Sequence, residues 1–204
     1  MKLFKSLMGI ASCLCIVACA RESNPDFRQR VQTITTQNPL QEQTLIQCLD
    51  SAKFFFGQND LAVALLHHKL GVFYFGAIDS FTNLADPNRS KRMEQSYAHY
   101  DTAYQIRRKK LGKTDYTTCQ TLSNQAAIYI QYGIDITKAD SLLGEAFYVK
   151  DVQAEPAFIG ELWYKRGLCA DALNDFKGAQ EFFKKALTIF ETVQQEKGIW
   201  SDNY

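Results

Sequence analysis

Residues 56–74, FGQNDLAVALLHHKLGVFY, lie over residues 111–129, LGKTDYTTCQTLSNQAAIY, at a constant offset of 55 with no gap. Gly57 meets Gly112, Asp60 meets Asp115, Gly71 meets Ala126, and Tyr74 meets Tyr129. A third unit begins near Pro156 with AFIGELWYKRGLCADAL. Internal repetition at a long period constrains a fold more than any composition does. Each unit is one supersecondary element, and it buries its apolar side only by stacking on the next. Nothing in the chain reads as a strand ladder, so the expectation is an all-α array of helix pairs.

Helix boundaries follow from caps and breakers. The pattern predicts helices over 39–56, 60–76, 87–111, 115–132, 136–149, 156–173 and 175–196. Asn38-Pro39 reads as a start, with a cap side chain followed by proline at the first helical position. Asp86-Pro87, Thr114 or Asp115, Asp135, and Asn174 or Asp175 supply the other caps. The first predicted helix puts Leu45, Cys48, Leu49 and Ala52 on one side. RESNPDFRQRVQTITTQ (21–37) is polar and lacks a clear apolar stripe, so it reads as a tether with at most one short helix after Asn24-Pro25.

Within the units, small and large residues recur in register. The last unit has Trp163-x2-Arg166-Gly167-x2-Ala170, then Ala179-x3-Phe183-x2-Ala186. The middle unit has Gln125-Ala126-x2-Tyr129, then Ala139-x3-Leu143-x2-Ala146, and the first has Leu70-Gly71-x2-Tyr74, then Ser96-x3-Tyr100-x2-Ala103. Small residues let two helices approach, and large ones fill the holes between them. The pattern resembles the tetratricopeptide repeat. The longer spacing, with YQIRRKKLGKTDYTTCQTLSNQAAIYIQYG (104–133) at its centre, is similar to the kinesin-light-chain type, in which LG closes one pair and Asp opens the next. The resemblance covers about residues 40–196 and implies a right-handed superhelical array of antiparallel helix pairs, about three repeats. Gln125 and Arg166 stand where Leu is usual, and Ala170 where Tyr is usual. Thirteen extra residues, near GAIDSFTNLADPNRS, lie between Tyr74 and Ser96. They read as a neutral loop or as a functional edge.

The N-terminus carries a different signal. MKLFK holds two lysines and no acid, and an apolar run from Leu7 to Ala18 follows. Twelve residues at ~1.5 Å each span about 18 Å, short of the ~30 Å hydrocarbon core of a bilayer. The segment therefore reads as a signal peptide and not as a spanning helix. Ile16-Val17-Ala18-Cys19 resembles the lipobox of bacterial lipoproteins, which implies cleavage before Cys19 and lipidation of its sulfur. Ile10-Ala11-Ser12-Cys13 also resembles a lipobox, but only seven residues separate it from Lys5, and Cys19 is preferred. Ala20, in place of an Asp, implies the outer membrane of a diderm bacterium, facing the periplasm. Three cysteines then remain, Cys48, Cys119 and Cys169, read as small buried residues or as one disulfide and an odd thiol. The expected layout is a leader over 1–18, an anchor and tether over 19–38, repeats over 39–196, and a tail over 197–204, whose Trp200 and Tyr204 could cover the last helix.

The chain has 23 basic and 22 acidic residues, and loss of Lys2 and Lys5 with the leader takes the formal charge from +1 to −1. No global charge draws such a protein to nucleic acid. His67, His68 and His99 are the only histidines, and the adjacent pair points about 100° apart on a helix, unlike a zincin pair. No nucleophile motif, phosphate-binding glycine loop or metal spacing is present. The expectation is a non-catalytic protein with no cofactor, metal, nucleic acid or small-molecule substrate. Its function would be to hold a protein or peptide at the membrane. A pilotin-like assembly factor is the alternative, and an enzyme or enzyme subunit acting on cell-wall material is a third.

By the resemblance, the first helix of each pair lines an inner groove. Its positions fall at Leu65, His68 and Val72, then Gln120, Ser123 and Ala127, with Asn124 beside them, then Glu161, Tyr164, Leu168 and Asp171. The Lys, Asn and Arg set with which some tetratricopeptide domains hold a C-terminal carboxylate does not recur there. Binding through the convex face or loops is the other reading. Arg107, Arg108, Lys109 and Lys110, with Lys113 nearby, form a basic cluster. It either complements a helix C-terminus electrostatically or docks an acidic partner or lipid headgroups.

Overall fold

The computed structural model describes residues 24–36, 41–76, 87–150 and 156–196. Cys19 and the leader, Asn38-Pro39, residues 77–86 of the insert, Trp200 and Tyr204 lie outside the described residues. Eight helices form among the described residues: α1 (Asn24–Thr35), α2 (Glu42–Phe56), α3 (Leu61–Gly76), α4 (Arg89–Leu111), α5 (Tyr116–Tyr132), α6 (Ile136–Ala146), α7 (Pro156–Ala172) and α8 (Phe176–Glu196). They group into two compact units, one ending at Ile106 and the other beginning at Arg107. The fold is all-helical, and neighbouring helices pair in the manner of a helical solenoid.

The repeat seen in sequence begins with a turn. Gly57 and Gly112 both adopt positive φ, 80° and 91°, where a side chain would be strained. Three residues later an aspartate caps the next helix. Asp60 Oδ1 accepts from Ala62 N–H at 2.8 Å, and Asp115 Oδ1 accepts from Thr117 N–H at 2.9 Å and Thr118 N–H at 3.2 Å. Asp135 and Asp175 cap α6 and α8 in the same way, through Lys138 N–H at 3.1 Å and Gly178 N–H at 3.0 Å. These bonds satisfy N-terminal amides that the helix itself leaves unpaired.

In the first unit, α3 is enclosed on nearly every side. Val63, Ala64, Leu66 and Leu70 are fully buried, and they share a core with Leu45, Cys48, Leu49 and Ala52 of α2. The short helix allowed after Asn24-Pro25 forms, and it is packed and not a free tether. Residues 24–35 form α1, and its Phe27 and Val31 are buried in the same core. Phe27 packs between Phe55 and Phe56, at centroid distances of 5.3 and 5.6 Å. Arg28, one residue on, grips Asp60 with two 2.9 Å hydrogen bonds and lies 4.1 Å over the Phe56 ring. The stripe is short, Phe27 to Val31 to Ile34, and the polar residues around it conceal it in the sequence.

The repeat register meets its physical reason at the helix crossings. A methyl on Gly71 would sit 2.7 Å from the Tyr100 ring, and one on Gly160 would sit 2.7 Å from Phe190. A methyl on Gly167 would run into Phe183. Only a residue without Cβ admits these rings. Gly160 against Phe190 and Gly167 against Phe183 also show that α7 and α8 run antiparallel, because the partner number falls as the glycine number rises. Ser96, at the small position of α4, is buried and donates to Gly71 O at 2.8 Å. The pairing of Gly71 with Tyr100 keeps the register across the insert, and part of the surplus lengthens α4, which starts at Arg89, well before Ser96.

In the second unit α6 stops at Ala146 and not at 149. Its last turn tightens, with Tyr148 N–H donating to Glu145 O and Val149 N–H to Ala146 O. Lys150 N–H then donates to Thr114 O at 2.8 Å, which ties the end of α6 to the turn before α5. Phe147 and Trp163 pack at 4.6 Å, and Trp163 stacks on Phe182 at 5.4 Å. Arg166, the departure from Leu, bonds Asp140 of α6 at 2.8 and 3.2 Å and lies 4.9 Å over Phe182. It thus links three helices where Leu would touch only apolar neighbours.

Candidate functional site

The groove positions divide between the two units. In the first, Leu65 and Val72 are half-buried and His68 is buried, edge-on to Tyr100 at 5.4 Å. His68 is therefore a packing residue here, although the resemblance placed it on the groove. The other positions lie on α5 and α7, which pack side by side. Tyr116 meets Phe158 edge-on at 5.2 Å across that contact.

On α5, Gln120, Asn124 and Ala127 are half-exposed. Ser123 is fully buried. Its burial has a cause that spacing could not reveal. The ammonium of Lys165 on α7 donates to Ser123 Oγ at 2.8 Å and to Glu161 Oε1 at 2.5 Å, and reaches Ser123 O at 3.4 Å. Lys165 is itself largely enclosed, with 13 % of its side chain exposed, against 45 % for Glu161. So a charged clasp holds α5 against α7 and leaves the Glu161 carboxylate open to solvent on one side. A charge taken out of water needs such a partner and further hydrogen bonds. Tyr164 and Asp171 are exposed, and Leu168 is half-buried. Tyr164 rests its ring on Phe183 at 5.7 Å. Gln120 donates weakly to Tyr116 Oη at 3.4 Å. The result is a face of amide, carboxylate and phenol groups over a rigid, clasped helix pair.

The basic cluster is corrected at its first member. Arg107 is buried, and its guanidinium donates to Thr117 O at 2.9 Å and Thr121 Oγ1 at 2.6 Å. It joins the end of α4 to α5 and is not a surface cation. Burial lowers its pKa to about 10, with the Asp115 carboxylate pulling the other way. Arg108, Lys109, Lys110 and Lys113 are exposed as expected.

The histidines form a constellation that adjacency in sequence concealed. His67 of α3 and His99 of α4 face each other with their Nδ1 atoms 2.9 Å apart. Tyr74 stacks on His99 at 5.5 Å and donates to Glu42 Oε1 at 2.5 Å. Burial, the opposing imidazole and the Lys53 charge lower the His67 pKa to about 4, and burial and Lys53 also lower that of His99. Burial, with the Glu42 bond and charge, pushes the Tyr74 phenol up to about 12. Among the described residues no group of three or more His, Cys, Asp or Glu is arranged to hold a metal ion. Cys48, Cys119 and Cys169 are buried free thiols, and burial pushes Cys119 and Cys169 up to about 11. That disfavours the thiolate a nucleophile needs. No described helix is long and apolar enough to cross a membrane.

No family model matches the chain, and no curated protein matches it. Among solved structures, the crystal structure of BtubC (BKLC) from P. vanneervenii is similar, with a TM-score of 0.60 over 87 % of this chain and 74 % of that one. The two sequences are 12 % identical, so the likeness is one of fold, a tetratricopeptide-like helical architecture.

Proposed function

We propose that this chain is a non-catalytic helical-repeat protein that holds a peptide segment of a protein partner, and that a lipid on Cys19 keeps it at a bacterial outer membrane. The carrying observation is the α5–α7 face. Two adjacent first helices are fixed by the Lys165 clasp, and they offer Gln120, Asn124, Glu161 and Tyr164 on a surface that the core does not require. Hydrogen-bonding side chains on a rigid scaffold suit recognition of an extended or helical peptide. The Ser123 hydroxyl that meets Lys165 is fully buried, which suits clasping α5 to α7 better than meeting a substrate. The anchor reading is supported by the IVAC ending and by an apolar leader too short to span a bilayer.

A photo-crosslinking residue introduced at Asn124 should capture a partner in intact cells, whereas one at Lys184, exposed on α8, should not. Substitution of both Gln120 and Tyr164 by Ala should abolish the Asn124 product. Equal capture at both positions, or capture unaffected by the double substitution, would sink the groove assignment.

A further inference from the structure

Helix-dipole complementarity accounts for cations in the last turn of α4, but not for those brought to it from elsewhere. The turn after α6 delivers two more residues to the α4–α5 connection. Lys150 is fixed there by its amide bond to Thr114 O, and the Tyr148 ring lies 6.0 Å from the Lys113 ammonium. Tyr148 is 69 % exposed, and Leu111 at the end of α4 is 42 % exposed. Lys109, Lys110, Lys113 and Lys150 are exposed, and none makes an ion pair among the described residues. Lys109 and Lys110 at the end of α4, Lys113 in the turn and Lys150 bonded to that turn thus share this corner of the unit with one exposed aromatic ring and one exposed leucine. Folding gains nothing from gathering like charges, whereas a ligand carrying carboxylates and an apolar side chain would gain from both.

We propose that the α4–α5 turn, with Tyr148 and Lys150 from the end of α6, is a second docking surface, which takes an acidic linear segment of a partner protein carrying an apolar residue. The geometry favours a peptide over a bilayer. Arg108, Lys109 and Lys110 are consecutive on a helix, so they fan out in steps of about 100° and cannot all meet one plane. A flexible acidic chain can follow that fan and place its apolar side chain on Tyr148. The surface is independent of the α5–α7 face, and either can fail without the other.

The test uses a dye-labelled peptide of alternating Glu and Asp with one central Phe, followed by fluorescence anisotropy with the full chain. Binding should weaken steeply as salt rises from about 0.05 to about 0.5 M. Lys109→Glu, Lys113→Glu and Lys150→Glu together should weaken binding at least tenfold. Tyr148→Ala alone should weaken it several-fold. The charge-matched set Lys138→Glu, Lys177→Glu and Lys184→Glu, at exposed sites elsewhere, should leave binding within twofold. All these positions are exposed, and circular dichroism melts should coincide with the parent. No binding by the parent chain, equal loss in both triple variants, or lysine-dependent binding to phosphatidylglycerol vesicles without binding to the peptide would overturn the proposal.

Discussion

Gly144 and Gly167 lie on neighbouring helices in opposite surroundings. A methyl on Gly144 meets nothing within 4 Å, whereas one on Gly167 enters the Phe183 ring. Gly144→Ala should therefore stabilise the protein by roughly 0.5–1 kcal/mol, the backbone entropy a helix glycine costs. Gly167→Ala gains the same term but overpacks a crossing, at about 1–3 kcal/mol, so its net effect should be destabilising. Urea midpoints of the two variants should move in opposite directions; a stabilised Gly167→Ala would contradict the crossing. At this scale the sequence was informative for small residues and misleading for polar ones. Gly71, Gly167, Ala126 and Ala139 are where the spacing put them. Arg107 and Ser123 look like surface residues because their partners, Thr121 for one and Lys165 for the other, are set by tertiary approach.

At the level of elements, α1 and the α3–α4 pair carry the consequences. Because α1 is part of the core, Phe27→Ala should cost about 3–5 kcal/mol, the usual range for a buried phenylalanine. A free tether would give no change in thermal midpoint, and that outcome would remove α1 from the fold. The His67–His99 pair makes a pH prediction. Two imidazoles sharing an Nδ1 contact need one donor and one acceptor, so both cannot be protonated there. The folded pKa of His67, about 4, lies below the ordinary 6.5. Between those values the unfolded chain binds a proton that the folded chain does not. Stability is thus fully present above about pH 6.5 and falls on acidification towards pH 4, at up to about 1.4 kcal/mol per unit for one proton. Chemical denaturation at pH 7 and pH 5 reads the slope. His67→Gln should flatten it, and identical slopes in parent and variant would exclude the pair as its source.

For the whole molecule, the proposed reading assigns location to a lipid on Cys19 and binding to the α5–α7 face, so the two should be separable. Cys19→Ala should leave an unprocessed precursor that takes up no labelled palmitate, while the purified domain keeps its melting temperature and its α5–α7 face. Normal labelling of the variant would refute the anchor at that residue.

The repeat, the seven helices from Glu42 onward and the small positions at their crossings were all legible in the chain, because they follow from local rules. Periodicity, capping aspartates and the size of a side chain each act within a few residues of sequence. The tertiary structure decided which polar groups are buried, that α1 belongs to the core, and which cations share a surface. Those outcomes depend on residues far apart in sequence meeting in space. Arg28 and Asp60 are 32 positions apart, and Ser123 and Lys165 are 42 apart. The chain shows no pattern at such separations until it is packed.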